Sequence, residues 1–159
     1  MRVTLSDEAR QYIALFEEET GATARDCLVI EDGDDPADGE PGADGEPGAD
    51  GERVVFLVKP GDMGRAIGSG GETVRELEAR LGSEVTLVED ADTTEAFVAN
   101  ALAPAAVYNV TVSEDDETVA YAEVDAADTG VAIGEGGRNI DIAERLAKRH
   151  HDVDDIQLT

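Results

Sequence analysis

The sequence is short of the residues that most often carry chemistry. Of its 159 residues one is cysteine, none is tryptophan, and tyrosine and phenylalanine occur three times each. A lone thiol, Cys27, excludes an intramolecular disulfide and a thiolate metal cluster, so its expected role is that of a buried, inert side chain. Scarce aromatics leave Val, Ile, Leu and Ala to build the core, within a hydrophobic fraction of 41% that suits a globular chain. Long apolar runs are missing too, which excludes a membrane-spanning helix, and no basic-then-apolar leader opens the chain. The expected setting is the cytoplasm, with no membrane partner. A chain of 159 residues holds one medium domain or two small ones, and small domains bury little core and lean on a neighbour.

Positive charge is the largest deficit. Twelve basic residues stand against 38 acidic ones, a formal charge of −26. In dilute buffer so short a chain repels itself strongly. In molar salt the Debye length falls to about 3 Å, the repulsion is screened, and the acidic groups keep the surface hydrated. The composition reads as a halophile's; an acidic decoy or nucleic-acid mimic is the alternative.

Ser6 and Asp7 offer N-cap chemistry to a helix carrying Ala9, Ile13, Leu15 and Phe16, preceded by a short apolar stretch at Val3–Leu5 and closed by Gly21. Cys27–Ile30 and Arg53–Val58 read as the strands of a hairpin. A helical turn from Asp62, a glycine cluster, a helix over Gly71–Leu81 and a strand over Glu84–Val88 follow. The order then repeats: a helix over Thr94–Leu102, strands over Val107–Val112 and Thr118–Val124, a helical turn, a second glycine cluster, a helix to His150, and a strand over Val153–Leu158. This predicts an α+β protein of two like domains, 1–90 and 91–159, each a three-stranded sheet with helices on one face.

Inside the first hairpin, from Glu31 to Glu52, every ionisable residue is acidic, and Gly39, Gly42, Gly45, Gly48 and Gly51 recur at every third position with Pro41 and Pro47 between them. The run is too short for a collagen triple helix and lacks the ligand order of an EF-hand. With no side chain larger than Ala able to anchor it, a disordered insertion at the hairpin tip is expected.

The repeat is exact enough to align without gaps at an offset of 66. Asp62, Gly64, Ala66, Ile67, Gly68, Gly70 and Gly71 answer to Asp128, Gly130, Ala132, Ile133, Gly134, Gly136 and Gly137, and Val74 is answered by Ile140. Helix, glycine turn and second helix N-terminus let a polynucleotide backbone come close, with N–H groups at the helix start available to phosphates. Ile67, Val74, Ile133 and Ile140 would line the apolar side of a groove for unpaired bases. A Walker A loop is excluded because no Lys follows either cluster, and a dinucleotide fingerprint because a helical turn, not a strand, runs into Gly68.

Helix-strand-strand-helix-helix-strand with I-G-x-x-G between the paired helices resembles the type II KH domain. The stretch Phe97-Val98-Ala99-Asn100-Ala101-Leu102-Ala103-Pro104-Ala105 resembles the F-V-x-N-A-L-x-P-A segment that joins the KH domains of the NusA family, in its short archaeal form. The resemblance implies a factor of transcription termination and antitermination that binds single-stranded RNA, the nascent transcript, through Gly68-Ser69-Gly70-Gly71 and Gly134-Glu135-Gly136-Gly137. RNA polymerase and ribosomal components are the protein partners it suggests.

Against that pattern the loops lack the usual Lys or Arg, and Glu135 faces the place of a phosphate. Yet Lys59, Arg65, Arg75, Arg80, Arg138, Arg145, Lys148 and Arg149 flank the two motifs. The windows 59–82 and 132–151 together carry a charge of +1, against −27 for the rest. The RNA-contact set is therefore Lys59, Arg65, Ile67, Gly68, Ser69, Gly70, Gly71, Val74, Ile133, Gly134, Glu135, Gly136, Gly137, Arg138 and Ile140. His150 and His151, adjacent at a helix end, point apart and suit a surface role beside the helix dipole rather than a metal site. No catalytic pair, cofactor motif or small-molecule site stands out, so no enzymatic activity is expected. A KH-fold scaffold docking on polymerase or a ribosomal precursor, with little RNA affinity, is the alternative, and a ribosome-assembly factor a third reading.

Overall fold

The computed structural model describes residues 6–31 and 52–159. The expectations for Val3–Leu5 and for the acidic glycine-proline insertion lie outside the described residues. The chain divides into two compact units, one ending at Glu89 and the other running from Asp90 to Thr159.

In the first unit, helix α1 (Asp7–Thr20) starts where the Ser6 hydroxyl accepts the Ala9 N–H at 3.1 Å, and stops at Gly21, whose φ of 74° no β-carbon favours. Strands β1 (Ala24–Glu31) and β2 (Glu52–Val58) pair antiparallel, and β2 pairs in parallel with β3 (Glu84–Glu89). A parallel pair needs a crossover, here helix α2 (Met63–Ile67), a 3₁₀ turn (Ser69–Gly71) and helix α3 (Glu72–Leu81). All three helices pack on the sheet face that carries Val54, Phe56 and Val58, burying Phe16, Ala66 and Leu77 against them. Phe16 and Phe56 stack with ring centroids 4.5 Å apart. Val55 and Leu57, which alternate to the other face of β2, are fully buried as well.

The second unit repeats the order: helix α4 (Thr94–Ala101), strands β4 (Val107–Glu114) and β5 (Thr118–Val124), helix α5 (Thr129–Ile133), a 3₁₀ turn (Glu135–Gly137), helix α6 (Arg138–His151) and strand β6 (Asp155–Leu158). Strand β5 is central, antiparallel to β4 and parallel to β6. Ala120, Ala122 and Val124 are buried on one face, while Tyr121 and Glu123 on the other are exposed. The two units share a topology but differ on the sheet face turned from the helices. Phe97, Val98, Ala101, Leu102 and Ala105 of the F-V-A-N-A-L-A-P-A stretch are all buried, so that stretch is core of the second unit.

Burial pushes the Cys27 thiol up to about 12, helped by the negative charges of Asp26 and Glu8, so it stays protonated and inert across physiological pH. Glu144 of α6 is raised to about 7, first by burial and then by sharing a hydrogen bond with Asp155, whose own carboxyl is lowered by that bond. The Ile156 N–H reaches Glu144 Oε2 at 3.3 Å and opposes the rise. A raised folded-state pKa stabilises fully below the ordinary glutamate range and is lost as pH climbs through about 7. The melting temperature of the wild-type protein should therefore fall between pH 6 and about 8 by more than that of Glu144→Gln, which cannot titrate. Parallel declines in calorimetric scans would remove Glu144 from the account.

Candidate nucleic-acid interface

The two glycine clusters take one backbone form. Gly68, Gly70 and Gly71 have φ/ψ of 76/176°, 63/20° and 80/12°, and Gly134, Gly136 and Gly137 have 79/166°, 65/17° and 78/13°. All six lie in the region that favours glycine. The reasons differ along the turn. A β-carbon on Gly68 would stand 2.1 Å from Thr73 Oγ1 and 2.9 Å from the Thr73 nitrogen, and one on Gly134 would stand 2.7 Å from the Asn139 nitrogen. The first glycine of each cluster is thus pressed against the start of the following helix. At Gly70 and Gly136 nothing lies within 4 Å of such a carbon, and at Gly71 only the Arg75 guanidinium does, at 3.6 Å. These later glycines face open space.

The other repeated residues are tied to the same geometry. Asp62 Oδ2 accepts the Thr23 N–H at 3.0 Å, and Asp128 Oδ2 accepts the Ala106 N–H at 2.9 Å, so each carboxylate pins the motif to the chain entering the first strand of its own unit. Ala66 and Ala132 are fully buried. Asn139 holds the second motif shut by donating from Nδ2 to the carbonyls of Ala132 at 3.1 Å and Val131 at 3.4 Å, the open C-terminal end of α5.

The expectation that the N–H groups at the helix start lie open to phosphates needs correction. The Gly71 N–H donates to the Gly68 carbonyl at 3.2 Å and the Gly137 N–H to that of Gly134 at 3.0 Å. The N–H groups of Glu72 and Arg138 bond likewise to Ser69 and Glu135. Each 3₁₀ turn consumes these donors, because its i→i+3 bonds satisfy the orphan groups of the helix it leads into.

Around the turns, Ile67 and Ile133 stand out of the surface, 38% and 39% exposed, and Val131, absent from the sequence-derived set, is 46% exposed. Val74 and Ile140 are half-buried one turn into the second helix of each motif. Ser69, Gly70, Glu135, Gly136, Lys59 and Arg138 are exposed, and Gly71 and Gly137 half-buried. Arg65 has structural work of its own: its guanidinium donates to the Gly21 carbonyl at 3.3 Å and lies 4.0 Å from Asp62. It closes the C-terminal end of α1, where a cation is favoured. The stretch 63–71 contains no acidic residue, and 129–137 only Glu135.

His151 is a second correction. Its place at the helix end predicts a surface position; instead its side chain is 13% exposed, packed at a tilt against Phe97 with ring centroids 4.5 Å apart, with Nε2 3.7 Å from Asp90 and Nδ1 3.4 Å from the Thr94 hydroxyl. Helical phase explains it, since Ala143 and Ala147 precede His151 at four-residue steps and both are fully buried. Among the described residues no group of three or more His, Cys, Asp or Glu side chains is placed to hold a metal, and no helix is long and apolar enough to cross a membrane.

Comparison with known proteins adds what geometry alone leaves open. A family described as NusA-like second KH domain matches residues 94–159, and one described as KH domain matches 47–116, a span that contains the first glycine cluster. The chain is 58% identical over 159 residues, 100% of both chains, to the probable transcription termination protein NusA of Halobacterium salinarum. This chain belongs to the NusA family. The NusA relative from Halococcus morrhuae is 56% identical over 158 residues, 99% of each chain, and that of Methanococcus vannielii 33% identical over 99% of this chain and 80% of its own. The crystal structure of APE1850 superposes with a TM-score of 0.75 at 28% identity, covering 98% of this chain and 100% of that one. The alignments with the Halobacterium and Halococcus relatives run through both glycine clusters.

Proposed function

We propose that this NusA-family chain is a cytoplasmic factor of transcription termination and antitermination that binds single-stranded RNA of the nascent transcript through both glycine loops. Residues 1–90 and 91–159 would each supply one RNA-binding domain. The observation that carries the reading is the duplicated turn: six glycines in matching positive-φ conformations, four of them facing open space, beside an exposed isoleucine in each copy. A polynucleotide backbone needs that closeness of approach, and bases need the apolar flank. Each loop also lies in a stretch almost free of carboxylates, in a chain where 38 of 159 residues are acidic. In molar salt counterion release contributes little, which leaves base contacts and close packing on the loop backbone as the source of affinity. RNA polymerase and ribosomal components are the protein partners in this proposal; no catalysis is part of it.

The reading is tested by titrating isotope-labelled protein with a short single-stranded RNA in molar potassium chloride and following the amide resonances. Shifts should gather in 63–74 and 129–140. Shifts absent from both stretches, with polymerase still bound, would establish the docking scaffold instead.

Glu135, exposed at the tip of the second loop, is what favours the scaffold for that half. Glu135→Lys separates the two. If the loop meets a phosphate, binding at about 0.2 M salt should tighten roughly fivefold, and by less than about twofold in multimolar salt. The slope of log affinity against log salt should steepen by about one. Wild-type affinity and slope throughout would take the second loop out of the RNA site.

A further inference from the structure

Outside the glycine motifs, the large apolar side chains left exposed among the described residues are two tyrosines, Tyr108 at 64% and Tyr121 at 37%. Tyr108 is the extra residue of a β-bulge: Val107 pairs with Val124 and Asn109 with Glu123, so Tyr108 stands opposite no residue of β5. A bulge re-aims the side chain it carries. The first unit has its bulge at the same place, between Ala24 and Asp26, and there the extra residue is Arg25.

The two corners are built alike and charged differently. The Lys59 N–H donates to the Thr23 carbonyl at 2.9 Å beside one bulge, and the Asp125 N–H to the Ala106 carbonyl at 3.0 Å beside the other. Lys59 and Asp125 share one position of the repeat at offset 66. Where the first unit carries Arg25 and Lys59, the second carries Tyr108 and Asp125. Asp125 accepts the Tyr108 hydroxyl on Oδ2 and the Ala127 N–H on Oδ1, the latter at 2.9 Å, which fixes its carboxylate beside the ring. That bond first, then the negative charges of Asp125, Asp128 and Glu123, raise the phenol above its ordinary value. The ring is therefore neutral, with carboxylates around it, and from Leu81 to Gly137 the sequence holds no basic residue to offset them.

An exposed aromatic ring attracts a cation to its face, and neighbouring carboxylates add to the pull. A guanidinium suits this corner better than an ammonium, because it is planar, weakly hydrated, and can stack on the ring while donating to a carboxylate. Molar salt sharpens the preference: attraction at a distance is screened within about 3 Å, whereas contact with the ring persists. Tyrosine and arginine are also the residues that most often anchor protein interfaces.

We propose that the corner formed by Tyr108, Glu123 and Asp125 docks an arginine-bearing segment of a protein partner, with the guanidinium over the Tyr108 ring and bonded to a carboxylate beside it. The proposal deepens the protein-partner part of the reading above and uses none of its RNA-contact residues, so the two are tested apart. The probe is an acetylated, amidated peptide of arginines alternating with glycine, titrated into the full chain in molar potassium chloride, beside the same peptide with lysines. The Tyr108 ring resonances and the Asn109 and Asp125 amides should shift with the arginine peptide, while the rings of Tyr12 and Tyr121 stay still. The lysine peptide should bind at least about threefold more weakly. Tyr108→Ala should weaken the arginine peptide by about fivefold or more, and Tyr108→Phe, which keeps the ring, by less than about twofold. Both variants should keep the wild-type circular dichroism spectrum and the wild-type affinity for single-stranded RNA. No shift at Tyr108, equal binding of the two peptides, or a Tyr108→Ala variant that binds the arginine peptide like wild type would overturn the proposal and leave the RNA reading intact. Loss of RNA affinity in Tyr108→Ala would also overturn it, by placing the ring in the RNA site. Shifts at Tyr108 that follow protein concentration without peptide would overturn it in favour of a second copy of the chain.

Discussion

Gly68→Ala and Gly134→Ala are each expected to destabilise the unit that holds them by about 3 kcal/mol or more, the largest single-methyl effect in the motif. Two costs combine. With φ of 76° and 79° and ψ of 176° and 166°, both residues occupy a region that is essentially glycine's alone. The new methyl would also sit 2.1 Å from Thr73 Oγ1 in one unit and 2.7 Å from the Asn139 nitrogen in the other, distances that force the next helix to move. Thr73→Ala should recover part of the loss at Gly68 by removing the nearest atom, but not all, because the Thr73 backbone nitrogen remains at 2.9 Å. Gly70→Ala, two residues along the same turn and in open space, should cost only about 1 kcal/mol. Urea unfolding of the four variants gives the comparison. Equal losses at Gly68 and Gly70 would show that crowding plays no part.

The double variant Gly71→Asp with Gly137→Asp should lower affinity for single-stranded RNA about thirtyfold while leaving the circular dichroism spectrum unchanged. Each side chain enters the space that the account gives to the RNA backbone, removing about 1 kcal/mol or more, and two such losses compound to that factor. The fold tolerates the change, since a left-handed aspartate costs about 1 kcal/mol and the positions are sterically open. At Gly71 the new carboxylate also comes within reach of the Arg75 guanidinium, 3.6 Å from the built β-carbon, and ties up a cation beside the loop. The Asn pair serves as the uncharged control: an equal loss assigns the effect to bulk, a smaller one to charge. Undiminished binding by the Asp pair would remove the loops from the RNA site.

The elements were legible because each carries local signals: caps at Ser6 and Gly21, β-branched runs, and the glycine clusters that separate paired helices. Strand ends were less so. Strand β1 begins at Ala24 rather than Cys27 because β2 pairs with it there, a partnership the β1 sequence does not carry. The repeat at offset 66 was visible, but the work done by its members was not. That Asp62 and Asp128 tie the motif to backbone N–H groups 39 and 22 residues earlier depends on tertiary proximity. The amide clasp of Asn139 was equally hidden, since a polar residue after a glycine pair gives no sign of the carbonyls it will meet. A bare helix leaves the N–H groups at its start open, whereas the intervening 3₁₀ turns close on them. His151 could have been placed correctly: its four-residue spacing from Ala147 and Ala143 puts it on the buried stripe of α6, a signal that adjacency to His150 obscured.

The most direct test of the central claim is a fluorescence anisotropy titration of the unmodified protein with one labelled RNA, single-stranded and then annealed to its complement, in molar potassium chloride. The account requires saturable binding of the single strand that survives molar salt, because contacts to backbone and bases carry it, and markedly weaker binding of the duplex, whose paired bases cannot enter beside Ile67 and Ile133. No binding of the single strand at any salt concentration, or equal binding of strand and duplex, would contradict it.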